Sequence, residues 1–264
     1  MTTLISSLTD PRVREYLSVA DPAAIERAGL FVAEGRFVVQ RLIALRRYRI
    51  QSLLMTPTAH AALFGEDEPT CRQIAAPVYI APQPLMNQIV GFNIHRGCLA
   101  LAERPAMQML EDLALDTLAR VLILEGVNNP DNMGGLFRSA VAFGAETVVL
   151  GPGCGDPLYR KAIRTSMAAA LQLPFVTAGA WPEALGLLRM KGLRVVALSP
   201  AGDAAVLDDV QRSSRVALLV GNEGSGLTPE ALAFSSERAR IKMSPGVDSL
   251  NVTVAASIAM HRLF

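Results

Sequence analysis

Short apolar runs punctuated by Gly, Pro and Asp divide this chain into two differently patterned regions. From Thr2 to about Arg104 the pattern is mixed. Asp10-Pro11 and Asp21-Pro22 each open a helical stretch, the second running to Ala28, because an Asp cap followed by Pro suits a first helical turn. Leu30-Phe31-Val32-Ala33, Ile50 to Met55, Ala76 to Ile80 and Gly97 to Ala102 read as strands. Helical spacing covers Phe37 to Leu45 and Pro82 to Ile89. The result is a compact α+β domain of roughly 100 residues, within the usual size range. Glu103 to about Asp116, with Pro105 and several acids, reads as a linker containing a helical turn.

From Leu118 onward strands alternate with helices. The strands are Val121–Leu124, Thr147–Leu150, Phe175–Thr177, Arg194–Leu198 and Val216–Val220, with a last one ending near Ile241. Helices are expected from about Gly134 to Phe143, from Leu158 to Leu171, through Trp181–Met190, and after Thr228-Pro229. This alternation predicts a parallel sheet with helices on both faces. In such sheets ligands sit beyond the carboxyl ends of the strands, so the loops there hold the candidate chemistry. The domain boundaries expected are 1–104, a linker at 105–117, and 118–264.

The last stretch combines a strand end at Ile241, a turn at Pro245-Gly246 and a helix start at which Ser249 or Asn251 can act as cap. Val252 through Met260 offers almost no polar face, which predicts a helix surrounded by protein.

Composition narrows the class. With 264 residues, 51% hydrophobic and 19% charged, the chain is neither disordered nor fibrous, and charge or Pro interrupts every apolar run well before about 20 residues. The first residues carry no basic segment leading into an apolar core, so a cytoplasmic protein is expected, with no membrane partner. Cys71, Cys98 and Cys154 stand singly, without metal-ligand spacing, and no metal site is expected. A net charge of +1 means that any nucleic-acid surface must be local.

Two basic groups are candidates for such a surface. Arg46, Arg47 and Arg49, with Arg41 earlier on the same helix, can hold RNA phosphates while Tyr48 stacks on a base. A solvated helix C-terminus explains the same residues equally simply. Arg160, Lys161 and Arg164 share helical spacing and fit either a phosphate-facing patch or an exposed helix face.

Three loops carry more specific signals. After the strand at Val121 comes Asn128-Asn129-Pro130-Asp131-Asn132-Met133-Gly134-Gly135, in which Asn132 or Asp131 can cap the following helix and Arg138 falls within its first two turns. Gly151 to Pro157 lacks the glycine spacing of a dinucleotide site, and Asp156 would repel a pyrophosphate, which argues against a dehydrogenase. Gly221-Asn222-Glu223-Gly224-Ser225-Gly226 permits close backbone approach to a ligand, yet its acid excludes a phosphate cradle. A ligand that is neutral or cationic at the point of contact suits it.

Together, Asn129 to Arg138, Gly221 to Gly226 and Ser249 to Val252 resemble the three motifs of the SpoU/TrmH family within the SPOUT superfamily, the S-adenosylmethionine-dependent RNA 2′-O-ribose methyltransferases. The resemblance is specific from about Leu118 to Phe264. Phe31 to Gly35 and Gly91 to Gly97 resemble, less specifically, the family's N-terminal domain of ribosomal-protein L30e-like fold.

The resemblance implies an α/β SPOUT domain with a deep trefoil knot, a homodimer, and transfer of methyl to RNA with ribosomal RNA ahead of transfer RNA and no DNA partner. It implies S-adenosyl-L-methionine held by Leu198, Gly221, Asn222, Ile241, Met243 and Leu250, with no metal. Arg138 would act on the 2′-hydroxyl, organised by Asn132, Glu223, Ser249 and Asn251. Lys242, where the family often has Pro, and Ala168, where it commonly has Gly, are departures. The rival expectation is an RNA-binding or ribosome-assembly protein that keeps the fold without catalysis.

Overall fold

A computed structural model describes residues 2–65, 74–94 and 97–264. In chain order the strands are β1 (Thr2–Leu4), β2 (Leu30–Glu34), β3 (Ile50–Met55), β4 (Val78–Ile80), β5 (Cys98–Glu103), β6 (Arg120–Leu124), β7 (Thr147–Leu150), β8 (Phe175–Thr177), β9 (Arg194–Leu198), β10 (Ala205–Val206), β11 (Val216–Val220) and β12 (Glu237–Arg240). The α-helices are α1 (Pro22–Arg27), α2 (Arg36–Leu45), α3 (Pro57–Phe64), α4 (Gln83–Val90), α5 (Pro130–Ala142), α6 (Arg160–Thr165), α7 (Ala169–Gln172), α8 (Glu183–Met190), α9 (Pro229–Phe234) and α10 (Val252–Leu263). Two compact units result, one of Met1–Ala106 with Leu158–Ala168, the other of Met107–Pro157 with Ala169–Phe264.

The first unit is a mixed five-stranded sheet in the order β1-β4-β3-β5-β2. Pairs β1/β4 and β4/β3 are parallel, while β5 runs antiparallel to β3 and β2. Its helices start as the Asp-Pro pattern predicts. Asp10 accepts from the Arg12 amide at 3.0 Å to begin a 3-10 helix at Pro11–Ser18, and Asp21 accepts from Ala24 at 3.1 Å. Tyr16, Met86, Ile89, Leu99 and Leu101 share one apolar cluster. The Tyr16 hydroxyl meets Ser52 Oγ at 2.9 Å, and burial raises the phenol pKa. Strand β1 and helix α3 are absent from the sequence reading. Three residues leave too short an alternation for β1, and α3 is apolar around most of its circumference, so neither shows a clear period.

A single helix from Leu158 to Leu171 does not form. The chain breaks between α6 and α7, where Met167 and Ala168 adopt φ of +52° and +68°. Neither Gly nor Pro marks the break. This left-handed setting costs an L-residue roughly 1–2 kcal/mol and favours glycine, which gives the departure at Ala168 a physical meaning.

The second unit is built on a wholly parallel seven-stranded sheet in the order β10-β12-β9-β11-β6-β7-β8. Val121, Ile123, Val195, Ala197, Ala217 and Leu219 join one apolar cluster on one face. Their alternates Leu122, Val196 and Leu218 are fully buried on the other, so both faces are covered. The stretch expected as a linker forms two 3-10 turns, Leu110–Asp112 and Leu115–Thr117. Just ahead of them, Gln108 accepts from the Thr177 amide at 3.0 Å.

Helices α5 and α10 pack closely. A Cβ on Gly135 would lie 2.7 Å from Thr253 Cγ2, and the Ser257 and Ser139 hydroxyls are hydrogen-bonded at 2.8 Å. Helix α5 begins at Pro130, four residues before the expected start, and Asn129, not Asn132 or Asp131, is its cap. The last strand ends at Arg240, so Ile241 already belongs to the following loop. Helix α10 is not surrounded by protein within the chain. It buries Val252, Ala256, Ala259, Met260 and Leu263 but leaves Val254 49% and Ile258 41% exposed.

Cys98 is fully buried, and burial pushes its thiol up to about 12, whereas Cys71 lies outside the described residues. No helix of the described residues is long and apolar enough to cross a membrane.

Two outcomes follow from this packing. Iodoacetamide near neutral pH should spare Cys98 in the folded chain and modify it in denaturant, read by peptide mass spectrometry. Gly135→Val should force α5 and α10 apart and lower unfolding free energy by about 1–3 kcal/mol, read by urea titration.

Candidate active site

The loops beyond β6, β11 and β12 hold the chemistry-bearing side chains, as expected for a parallel sheet. After β11 the chain folds back on itself: the Asn222 amide donates to Gly226 O at 3.1 Å and the Gly226 amide to Asn222 O at 3.0 Å. A Cβ on Gly221 would stand 2.5 Å from the Gly226 carbonyl carbon, so glycine is a steric requirement there. Asn222 Nδ2 donates to Gly126 O at 2.8 Å, and its Oδ1 accepts from the Gly224 amide at 2.8 Å. One side chain therefore shapes the loop and ties it to the loop after β6.

This loop, the β9 end and the residues after β12 enclose a pocket of about 560 Å³. Leu198, Gly221, Asn222, Ile241, Met243 and Leu250, the six residues that the resemblance assigns to the methyl donor, all line it, and so do Glu223 and Ser249. The volume falls within the range of roughly 300–1,000 Å³ usual for small-molecule sites. Glu223 and Asp248 are the charged side chains of the lining. A cation suits such walls better than an anion.

At the pocket edge side chains from three segments converge, the first turn of α5, the loop after β11 and the start of α10. The Asn129 side chain caps α5 by accepting from the Asp131 amide at 2.8 Å, which leaves the Asn132 side chain for other partners. Asn132, only 8% exposed, donates a short hydrogen bond from Nδ2 to Glu223 Oε1. Asn251 Nδ2 donates to the same Oε1 and to Asn132 Oδ1, each at 3.0 Å. Its own Oδ1 caps α10 by accepting from the Thr253 amide at 2.9 Å. Asn251 thus reads the site with its amide and starts a helix with its carbonyl.

Arg138 stands apart. It is exposed on α5, six residues beyond Asn132 and so about 9 Å further along the axis, outside the pocket lining.

The expected RNA-facing residues have mixed settings. Arg41, Arg46, Arg47 and Arg49 are exposed, with Arg41 lying 5.5 Å over the Phe37 ring and Arg49 pairing with Glu103 at 3.1 Å. Tyr48 is not available for base stacking. It is 8% exposed and packs edge-on against Phe31 at 5.1 Å, and burial raises its pKa. Arg160 and Arg164 both pair with Glu34, at 3.3 and 3.5 Å, and Arg160 also lies 4.2 Å over the Phe92 ring. Lys161 is half-buried.

Sequence reasoning missed the cluster in which Glu125 accepts from both Trp181 and Thr228. The available signal was an acid ending a run of buried apolar strand residues, Val121 to Leu124.

The sequence model of the SpoU rRNA methylase family matches residues 119–261. This chain belongs to that family. The match takes in all three loops of the site and the whole of α5 and α9. An uncharacterized tRNA/rRNA methyltransferase of Mycobacterium bovis is 39% identical to this SpoU-family chain over 268 residues, covering 96% of the chain and 88% of the relative. Among solved structures, the AdoMet-bound rRNA methyltransferase from Sinorhizobium meliloti is similar with a TM-score of 0.83 at 23% identity, covering 99% of this chain and 97% of that one. An RNA 2′-O ribose methyltransferase gives 0.78 at 24% identity, covering 99% and 97%. At these identities the structural likeness speaks for the shared α/β fold.

The double use of Asn251 can be separated. Asn251→Ala removes cap and bridge together and should lower unfolding free energy by about 1–2 kcal/mol. Asn251→Asp keeps the cap but sets a second carboxylate against Glu223, so near pH 7 it should also lower unfolding free energy relative to the parent chain, and by more in low salt than in high salt. Urea midpoints at the two salt concentrations check this.

Proposed function

We propose that this SpoU-family protein transfers a methyl group from S-adenosylmethionine to a ribose 2′-hydroxyl of RNA, ribosomal RNA ahead of transfer RNA. The observation that supports this best is the position of Glu223. It lines the pocket and also accepts from Asn132 and Asn251, so the proposed donor site and the proposed reaction site share one carboxylate.

The pocket fits the donor chemically. Leu198, Val220, Ile241 and Leu250 supply apolar wall, and the acids Glu223 and Asp248 favour a ligand with positive charge. The chemistry supplied by bound S-adenosylmethionine is an electrophilic methyl carbon on a cationic sulfur. Asn132 and Asn251 hold the Glu223 carboxylate in place with their amide N–H groups, and so fix where negative charge faces the pocket. Ser249 lines the same wall. Arg138 keeps its charge, as arginine does in proteins, and stabilises the alkoxide that develops on the 2′-oxygen while gripping the adjacent phosphate. The hydroxyl proton then leaves to phosphate or water as the oxygen–methyl bond forms.

Because Arg138 lies outside its own chain's pocket, the reading includes a homodimer in which Arg138 of one protomer serves the pocket of its partner. Val254 and Ile258, exposed on the helix packed against α5, give the apolar surface for that pairing. A deep trefoil knot belongs to the same reading. The order β12-β9-β11-β6 and the docking of α10 onto α5 support it. The first unit, proposed as an RNA-binding domain of ribosomal-protein-like fold, offers Arg41, Arg46, Arg47 and Arg49, and Arg160, Lys161 and Arg164 are proposed as further phosphate contacts.

The deciding experiment incubates the protein with labelled S-adenosylmethionine and unmodified ribosomal and transfer RNA, then maps label by resistance of the adjacent bond to alkaline hydrolysis. One resistant ribosomal bond is the expected result. Label confined to transfer RNA would overturn the substrate, and absence of donor binding in a titration would favour an assembly protein without catalysis. Arg138→Ala should lower kcat by at least about 10²-fold, in line with loss of a charge-stabilising group. Arg138→Lys should keep part of the rate, and a dead Lys variant that still binds donor and RNA would exclude the charged-stabiliser role.

A further inference from the structure

Glu125 ends β6 with a carboxylate only 4% exposed. A buried carboxylate is costly unless donors meet it. Here three do: Trp181 Nε1 donates to Oε1 at 2.7 Å, Thr228 Oγ1 donates to Oε1 at 2.7 Å, and the Thr228 amide donates to Oε2 at 2.9 Å. Thr228 closes the pocket loop and caps α9, its Oγ1 accepting from the Ala231 amide at 3.2 Å. The next peptide continues the pattern, since Gly126 O accepts from Asn222 Nδ2 near the loop's start. Both ends of the 222–228 loop are therefore tied to the Glu125-Gly126 pair, the residues from which the Asn129–Asn132 segment departs. The Trp181 ring is fixed in turn. A Cβ on Gly151 would lie 3.0 Å from it.

We infer that Glu125 is a positioning residue for methyl transfer: its buried carboxylate clamps the pocket loop at Thr228 and couples it to Trp181. Glu125 itself does not line the pocket and touches no reacting atom. It sets the distance between the loop that carries Glu223 and the loop that carries Asn132, so its loss acts on donor affinity before it acts on chemistry. The inference rests on the methyl-transfer reading for its consequence but on hydrogen bonds alone for the clamp. Trp181 is the chain's single tryptophan, so its emission reports this clamp without a label.

The test compares Glu125→Gln and Glu125→Asp with the parent chain by donor titration, steady-state kinetics, tryptophan emission and hydrogen exchange at the 222–228 amides. Gln offers one acceptor oxygen and turns an NH2 group toward the donors. Glu125→Gln should weaken S-adenosylmethionine binding and raise its KM about tenfold or more, change kcat at saturating donor much less, shift Trp181 emission and speed exchange in the loop. Glu125→Asp keeps two charged oxygens and should recover part of each effect. A folded Glu125→Gln chain with unchanged donor affinity, emission and exchange would overturn the inference. If Glu125→Gln does not fold, Trp181→Phe removes one donor only and should still weaken donor binding several-fold; unchanged affinity and loop exchange there would overturn it equally. Absence of donor binding by the parent chain would defeat the methyl-transfer reading, while emission and exchange in the Glu125 variants would still decide the clamp.

Discussion

The hydrogen bonds that Glu223 accepts from Asn132 and Asn251 are the constraint on which the site depends. Each partner comes from a different segment, and each stands at the start of a helix. Asn132 lies in the first turn of α5, whose cap is Asn129. Asn251 is itself the cap of α10. The two helices approach closely only because Gly135 leaves room for Thr253. A carboxylate near a pocket would repel a second acid and attract any passing cation, but two neutral amides satisfy it without cancelling its charge. The site thus keeps negative charge at a fixed point.

Much of this arrangement was legible in the chain because it depends on local chemistry. Asp-Pro pairs located helix starts, Gly221 signalled close backbone approach, and the alternation after Leu118 gave a parallel sheet with ligand loops at its carboxyl ends. The failures have physical reasons too. Asn129, Asp131 and Asn132 are all competent caps, and only the long-range partner Glu223 distinguishes which one is free for the site. A helix as poor in strongly polar residues as α10 between Val252 and Met260 has the same pattern whether its outer face meets its own chain or nothing within that chain, so the pattern alone does not separate Val254 and Ile258 from the buried positions. Tyr48 looked accessible among arginines, whereas its ring completes the packing of Phe31. Nothing beside Glu125 in the chain marks it as a clamp, because its three donors lie 56 and 103 residues away.

The strand pattern conveyed position but not charge pairing. Arg160 and Arg164 were candidates for a phosphate patch, and both are already paired with Glu34. Bringing a phosphate to them means competing with a carboxylate only 11% exposed, one buried far more than most surface acids. An RNA phosphodiester carries a single negative charge, the same as the carboxylate that it must displace. The free energy of such a contact is the difference between two ion pairs, not the worth of one.

Helix α6 has a consequence for how the chain can be divided. It lies within the stretch that the family model covers, yet it forms part of the compact unit otherwise made of Met1–Ala106, with Ala162 and Ile163 fully buried there. A protease or an engineer cutting in the stretch around Asp116 would release a fragment that holds the family match and keeps α6 but loses its cover. Ala162 and Ile163 would meet water, and two arginines would lose their shared acid. Continuity along the chain and continuity of folded substance are different partitions of this protein.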